Sequence, residues 1–370
     1  MAFYYGSDTT VIFFPICIFP VPVCADLPDR SLAGVSGNSA EGADRSGGRS
    51  SGKCKAGRAD NSGRSGAETF IEEIKEENGM KLGALEAGGT KMVCAIGDET
   101  GKIYEQISIP TRTPEETVPE MIDYFKKAGV EALGIGCFGP IDPDRSSATY
   151  GYITSTPKLA WANYNIVGTF EKTLGCPVGF DTDVNGSVLG EVTFGQAKGK
   201  SCVIYVTIGT GVGVGVYIEG KLLHGMLHPE AGHVMIQKRA DDSYGGKCPY
   251  HKNCLEGMAA GPAVEERWGQ KAIALKDREE VWDLEAYYIA QALSGYILTL
   301  SPELIILGGG IMHQEQLFPM IRRYVTEMLN GYLKTEELKD MEHYIVPASL
   351  NDDQGIMGAL ELGRRALKNC

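Results

Sequence analysis

The sequence predicts a two-lobed α/β protein whose halves are built alike and face one cleft. Three observations carry that expectation. The chain has 370 residues, 43% of them hydrophobic, which is more core than one ordinary domain needs. An apolar, glycine, apolar hairpin pattern occurs twice, around Gly88-Gly89-Thr90-Lys91 and around Gly209-Thr210-Gly211. A third glycine cluster, Gly308-Gly309-Gly310, ends the apolar run Leu304-Ile305-Ile306-Leu307 and opens an amphipathic helical pattern through Leu317, Met320, Ile321 and Tyr324.

Residues 1–79 read differently from the rest. The run VIFFPICIFPVPVCA at 11–25 is apolar, but Pro15, Pro20 and Pro22 break any helix and no Lys or Arg precedes it, so neither a signal peptide nor a membrane span is expected. From Ser31 to Gly66 the Gly/Ser/Arg/Ala composition has no hydrophobic period and predicts disorder. The stretch IEEIKEENGM reads like a translated purine-rich ribosome-binding site, which makes Met80 the expected true start, with a genuine extension as the alternative. The formal net charge of −13 argues against a nucleic-acid partner. Ten mostly isolated cysteines in apolar runs fit a reducing cytosol, hence a cytoplasmic protein.

From Met80 onward, KLGALEAGGTKMVCAIGDETG predicts two strands around Gly88–Lys91 with a turn at Gly97-Asp98 to Gly101. The segment CVIYVTIGTGVGVGVYIEGKLL repeats the arrangement around Gly209–Gly211 with a turn at Glu219-Gly220. Such bends offer backbone N–H groups and a hydroxyl to phosphate oxygens. The glycines at 209, 211, 213 and 215 do not satisfy the dinucleotide fingerprint, and Gly199-Lys200-Ser201 lacks the glycine a P-loop needs at Phe194. Gly308 to Gly310 present bare backbone suited to a flat ring, which assigns them to the adenine or ribose side.

VGFDTDVNGSVLGEVTFG places Asp181, Thr182, Asp183 and Asn185 where a strand passes into a helix with apolar positions Val184, Val188 and Val192. An Asp at such a boundary often caps the helix, but Asp181 or Thr182 can serve there, leaving Asp183 free to accept a proton from a sugar hydroxyl. Upstream, Gly139-Pro140 makes a rigid turn with Asp142 available for a hydroxyl or metal; downstream, Glu230 and His233 add groups for a polyol. His224, His228 and His313 read as surface or packing residues.

His233, Cys248, His251 and Cys254 form H-x14-C-x2-H-x2-C. Two thiolates and two imidazoles make a closed tetrahedral set suited to structural zinc (Zn²⁺). A disulfide between Cys248 and Cys254 is the alternative and leaves both histidines unexplained. Such an ion would hold Glu230, His233 and Glu256 around the substrate.

Together, Glu86-Ala87-Gly88-Gly89-Thr90-Lys91, Gly139-Pro140-Ile141-Asp142, Asp181-Thr182-Asp183-Val184-Asn185, Gly209-Thr210-Gly211-Val212-Gly213, Glu230-x-Gly-His233 and Cys254-x-Glu256 resemble the ROK family of sugar kinases, most closely its bacterial fructokinase branch, over residues 80–370. The resemblance implies a duplicated ribonuclease-H-like, actin-type ATPase fold with an interlobe cleft: a lobe of residues 80–197 completed by a helix around 352–370, and a lobe of residues 198–351 carrying the zinc loop. It implies Asp183 as catalytic base, with Gly139, Asp142, Thr182, Glu230, His233 and Glu256 at the sugar. Gly88, Gly89, Thr90, Lys91, Thr210 and Gly211 would hold ATP phosphates, with Mg²⁺, and Gly308–Gly310 the adenosine. A homodimer that phosphorylates fructose to fructose 6-phosphate follows from the same resemblance, with mannose, another hexose or an amino sugar as alternative substrates and a sugar-responsive repressor as a non-enzymatic alternative. Three positions depart from the broader family pattern. Glu86 stands for a common Asp. Thr182 stands for a common Asn, which weakens the case for glucose. His251 stands for a Cys and keeps four ligands.

Overall fold

The computed structural model describes residues 79–368, and the expectations placed on residues 1–78 lie outside the described residues. The first sheet begins as a meander of β1 (Leu82–Ala87), β2 (Lys91–Gly97) and β3 (Ile103–Pro110), followed by α1 (Pro114–Ala128). Strand β4 (Ala132–Cys137) lies parallel to β1. A short ribbon of β5 (Tyr152–Ile153) and β6 (Tyr164–Asn165) leads into α2 (Ile166–Leu174), β7 (Val178–Thr182) and α3 (Asp183–Thr193). The strand order is β3-β2-β1-β4-β7.

The second sheet repeats this plan. Strands β8 (Cys202–Ile208), β9 (Val212–Ile218) and β10 (Lys221–Leu222) form its antiparallel flank. After α4 (Leu255–Ala259), α5 (Gly261–Trp268) and α6 (Glu279–Leu300), β11 (Leu304–Gly308) pairs parallel to β8. A short 3₁₀ turn at Gly310–His313 separates β11 from α7 (Leu317–Leu329), so the glycine cluster does not run directly into that helix. Helix α8 (Met341–Tyr344) and β12 (Ile345–Pro347) complete the sheet, ordered β10-β9-β8-β11-β12. One flank of three antiparallel strands and one of two parallel strands in each sheet is the duplication foreseen from the paired hairpins.

Burial explains why the central strands are apolar on both faces. In β1, Leu85 and Ala87 pack with Met121 and Phe125 of α1 and Phe170 of α2. The alternate positions Leu82 and Ala84 pack with Ile356, Ala359 and Leu360 of the C-terminal helix α9 (Gln354–Lys368). The second sheet is covered on one side by α6 and α7 through residues such as Trp282, Leu293 and Ile321. On its other side Val203, Tyr205 and Ile306 meet Val188 of α3.

Helix α3 therefore belongs to both lobes. Its backbone contacts are close: a Cβ on Gly215 of β9 would stand 2.1 Å from the Val184 carbonyl oxygen, and one on Gly358 of α9 would stand 1.7 Å from the Gly186 carbonyl oxygen. No helix among the described residues is long and apolar enough to cross a membrane. The α3–α9 contact is testable. Gly358→Ala should lower stability by ~1–3 kcal/mol or more, read as an earlier urea midpoint; a wild-type midpoint would contradict the packing described.

Candidate active site and donor cluster

Asp183 is the first residue of α3, and its neighbours leave its carboxylate unencumbered. Thr182 caps the helix, its Oγ1 accepting the Asn185 N–H at 3.1 Å. Asp181 points elsewhere: its Oδ1 accepts from the Thr182 N–H at 2.8 Å and from Asn185 Nδ2 at 2.7 Å, while Oδ2 meets His224 Nε2 at 3.0 Å. Asn185, fully buried, also accepts the Val216 N–H of β9 through Oδ1 at 3.2 Å. One amide thus ties the start of α3 to the second sheet.

The Asp183 carboxylate accepts the Val184 N–H at 2.9 Å. Burial pushes its carboxyl up to about 7, reinforced by the carboxylates of Glu86 and then Glu230. Glu86, at the end of β1, lies against Gly355 at the start of α9, and burial raises its carboxyl too, with Lys91 opposing and Asp353 and Asp352 adding to the rise. In the sequence Glu86 stands only as part of the Glu86–Lys91 motif; its electrostatic influence on Asp183 comes from the fold.

Around Asp183 stand the polar groups expected for a polyol. Glu230 is raised by burial, with His233 opposing and Glu256 adding. His233 Nε2 is 3.9 Å from Glu256 Oε1. A Cβ on Gly139 would approach Glu230 Oε1 to 3.4 Å and His228 Cε1 to 3.0 Å. His228 is buried, and burial lowers its pKa. Its Nε2 accepts the Ile141 N–H at 3.1 Å and its Nδ1 faces Glu230 Oε1 at 3.6 Å. It is therefore no bystander: it fixes the Gly139-Pro140 turn against Glu230, and the adjacent His228-Pro229-Glu230 sequence was the available signal.

Two residues expected at the sugar have their side chains occupied by the fold. Thr182 is buried with its hydroxyl used as the cap. Asp142 accepts from Ser147 Oγ and Thr149 Oγ1, both at 2.6 Å, and from the Asp144 N–H at 3.1 Å, which holds its carboxyl below the usual range despite the opposing effect of burial.

The glycine bends flank this centre. In the first, the Gly88 N–H donates to the Lys91 carbonyl at 3.1 Å, leaving Thr90 and Lys91 exposed. Lys158, absent from the sequence-based site, reaches this bend, its Cε 3.4 Å from where a Gly89 Cβ would sit. In the second, the Gly209 N–H donates to the Gly211 carbonyl at 2.9 Å, and Glu256 Oε2 accepts the Val212 N–H at 3.1 Å. The Gly308–Gly310 turn adjoins this bend, with the Gly310 nitrogen 3.9 Å from a Gly209 Cβ position and Gly309 at φ 86°. Only glycine fits there, since a Cβ would lie 2.6 Å from the Ile208 carbonyl oxygen.

His233, Cys248, His251 and Cys254 converge, with their donor atoms all within 4.8 Å of one another. His233 Nδ1 is 3.7 Å from Cys248 Sγ and 3.5 Å from Cys254 Sγ, and His251 Nδ1 is 3.9 Å from Cys248 Sγ. A tetrahedral ion with metal–sulfur bonds of ~2.3 Å and metal–nitrogen bonds of ~2.0–2.1 Å requires S···N edges of about 3.5 Å. The donor set fits that geometry, and both cysteines are free thiols.

Two duplicated ribonuclease-H-like lobes enclosing a carboxylate and paired glycine bends define the two-lobed, actin-type kinase class. The model of the ROK family matches residues 82–366, and the chain belongs to that family. A protein of Bacillus subtilis (strain 168) is 52% identical over 288 residues, 78% of this chain and 96% of its own. The fructokinase of Pediococcus pentosaceus is 46% identical over 78% of this chain and all of its own. The glucokinase of Thermotoga maritima is 27% identical over 76% of this chain and 97% of its own. Among solved structures, the ROK hexokinase from Thermus thermophilus superposes with a TM-score of 0.62 at 25% identity, covering 79% of this chain and all of the other.

The electrostatics of Asp183 can be read directly. A carboxyl ¹³C titration should place its midpoint near 7, and Glu86→Gln should move it to lower pH by removing a repelling charge. A midpoint in the ordinary carboxylate range in the wild type would contradict the environment described.

Proposed function

We propose that the protein transfers the γ-phosphoryl group of MgATP to the 6-hydroxyl of fructose, with Asp183 as general base. The observation that carries this reading is the raised carboxyl of Asp183 at the meeting of the two lobes, between Glu86 and the Glu230–His233–Glu256 group. A base poised near neutrality combines a useful deprotonated fraction with enough basicity to draw a proton in the transition state. The preference for fructose rests on the higher identity to a fructokinase than to a glucokinase, 46% against 27%.

In this mechanism Glu230, His233 and Glu256 accept or donate hydrogen bonds to the sugar hydroxyls and orient the 6-hydroxyl toward Asp183. The backbone N–H groups of the two bends hold the phosphates, with Lys91 and Lys158 supplying positive charge at the first bend. As the sugar oxygen bonds to the γ-phosphorus, its proton passes to Asp183, the bond to the β-phosphate oxygen breaks, and ADP leaves. The surrounding carboxylates withdraw no proton from the sugar themselves; their charge keeps Asp183 basic. Exclusion of water from the closed cleft would keep it from competing as acceptor.

The ion suited to the cluster of His233, Cys248, His251 and Cys254 is zinc, which supplies structural cross-linking when bound. Coordination through His233 Nδ1 leaves Nε2 on the side of Glu256, so the ligand shell would position a sugar-binding ring. We assign the molecule to the cytoplasm as a homodimer on the same reading.

Two measurements test these roles. Asp183→Asn should lower kcat for fructose by ~10²-fold or more while fructose binding measured by calorimetry stays within a few-fold; near wild-type turnover would remove the base. Purified protein should carry stoichiometric zinc by elemental analysis, and Cys254→Ser should reduce that content and raise KM for fructose; a metal-free, fully active wild type would contradict the assignment.

A further inference from the structure

A cavity of about 340 Å³ lies at the seam of the two lobes, lined by residues of the loop after β4, of β7 and α9, and of the β9–β10 turn. Asp183, Glu230, Glu256 and the glycine bends take no part in its walls. Its chemistry is set by Arg145, Lys221 and Arg365, with Tyr150, His224 and Asp181 beside them. In a chain of net charge −13 this concentration of cations calls for an explanation.

The three cations have little to neutralise them. Arg145 and Lys221 make no ion pair among the described residues, and the Arg145 guanidinium lies over the Tyr150 ring at 5.2 Å. Arg365 donates through Nε to Glu361 Oε1 at 2.8 Å, which leaves its terminal nitrogens without a protein partner among the described residues. The lining carboxylate, Asp181, is already engaged by the Thr182 N–H, by Asn185 Nδ2 and by His224. Two guanidinium groups and an ammonium suit a phosphate dianion, because guanidinium forks match its oxygens. Tyr150 and Phe180 in the lining supply apolar wall for a carbon ring, and the volume falls at the small-ligand end of the usual range.

The geometry points to this seam cavity as a binding site for a phosphorylated sugar, separate from the catalytic cleft. Arg145 and Arg365 belong to the first lobe and Lys221 to the second, so a bound phosphate bridges the lobes. The site also touches the base through its own wall: Asp181 is hydrogen-bonded to Thr182 and Asn185, the residues that hold Asp183 at the head of α3. Occupancy therefore couples to the cleft, and by linkage a cleft ligand alters affinity at the seam.

Calorimetric titration tests the site. Full-length protein, its cleft saturated with fructose and a non-hydrolysable ATP analogue, is titrated with glucose 6-phosphate and separately with inorganic phosphate. Saturable binding of the sugar phosphate is expected, weakened about tenfold or more in Arg145→Ala and in Lys221→Ala, with inorganic phosphate binding more weakly and with kcat at saturating fructose within twofold of wild type in both variants. Absence of binding with the cleft filled, affinity unchanged in both variants, or inorganic phosphate binding as tightly as the sugar phosphate would overturn the proposal. Failure of the kinase reading would show separately, as absence of ADP release with fructose from the same preparations.

Discussion

The structure depends on one helix being buried by two lobes at once. Helix α3 leaves the first sheet, lies against α9, and packs Val188 on the second sheet, while Asn185 satisfies its amide on Asp181 of one lobe and Val216 of the other. A buried amide with both ends bonded fixes orientation, since any relative shift would leave a donor or acceptor unpaired at ~1–3 kcal/mol. Because α3 is held this way, its first residue is delivered to the meeting of the lobes. The position of Asp183 follows from the packing of Val188 and the hydrogen bonds of Asn185.

The same placement sets the chemistry of the carboxyl. A helix N-terminus alone favours a carboxylate by ~0.3–1 kcal/mol and would lower its pKa. Burial and the charges of Glu86 and Glu230 act the other way, and the shift from 3.8 to about 7 amounts to roughly 4 kcal/mol between the two protonation states. Desolvation and like charge therefore win over the dipole by several-fold. Around this centre the two lobes divide the work. The first contributes Asp183, Glu86 and one glycine bend; the second contributes the other bend, the Gly308–Gly310 turn and the Glu230–His233–Glu256 group, with the converging cysteines and histidines beside it.

Much of the architecture was legible because it is local. The paired hairpins at 88–91 and 209–211, the strand-to-helix passage at Asp181–Asn185 and the four-donor spacing after His233 each lie within a short window, where periodicity and residue chemistry speak directly. What escaped depends on which neighbours the fold brings to a side chain. His228 reads as a packing histidine until the Ile141 N–H is brought to it from another lobe. Asp142 reads as open to a ligand until Ser147 and Thr149 close around it, whereas Thr182 is one of the two capping residues the local sequence already offers. Lys158 acquires meaning only because the loop after β5 folds over Gly89. Short polar side chains serve their own backbone as readily as a ligand, and only the fold decides between the two.

The central claim is that this arrangement presents a sugar hydroxyl to Asp183 in line with a phosphoryl group. A crystal structure with fructose, MgADP and an aluminium fluoride mimic of the transferred group tests it most directly. The account predicts the 6-oxygen within ~2.6–3.2 Å of an Asp183 carboxylate oxygen, with the fluoride between the two glycine bends. A 6-oxygen held by another side chain, with Asp183 beyond hydrogen-bonding reach, would contradict it.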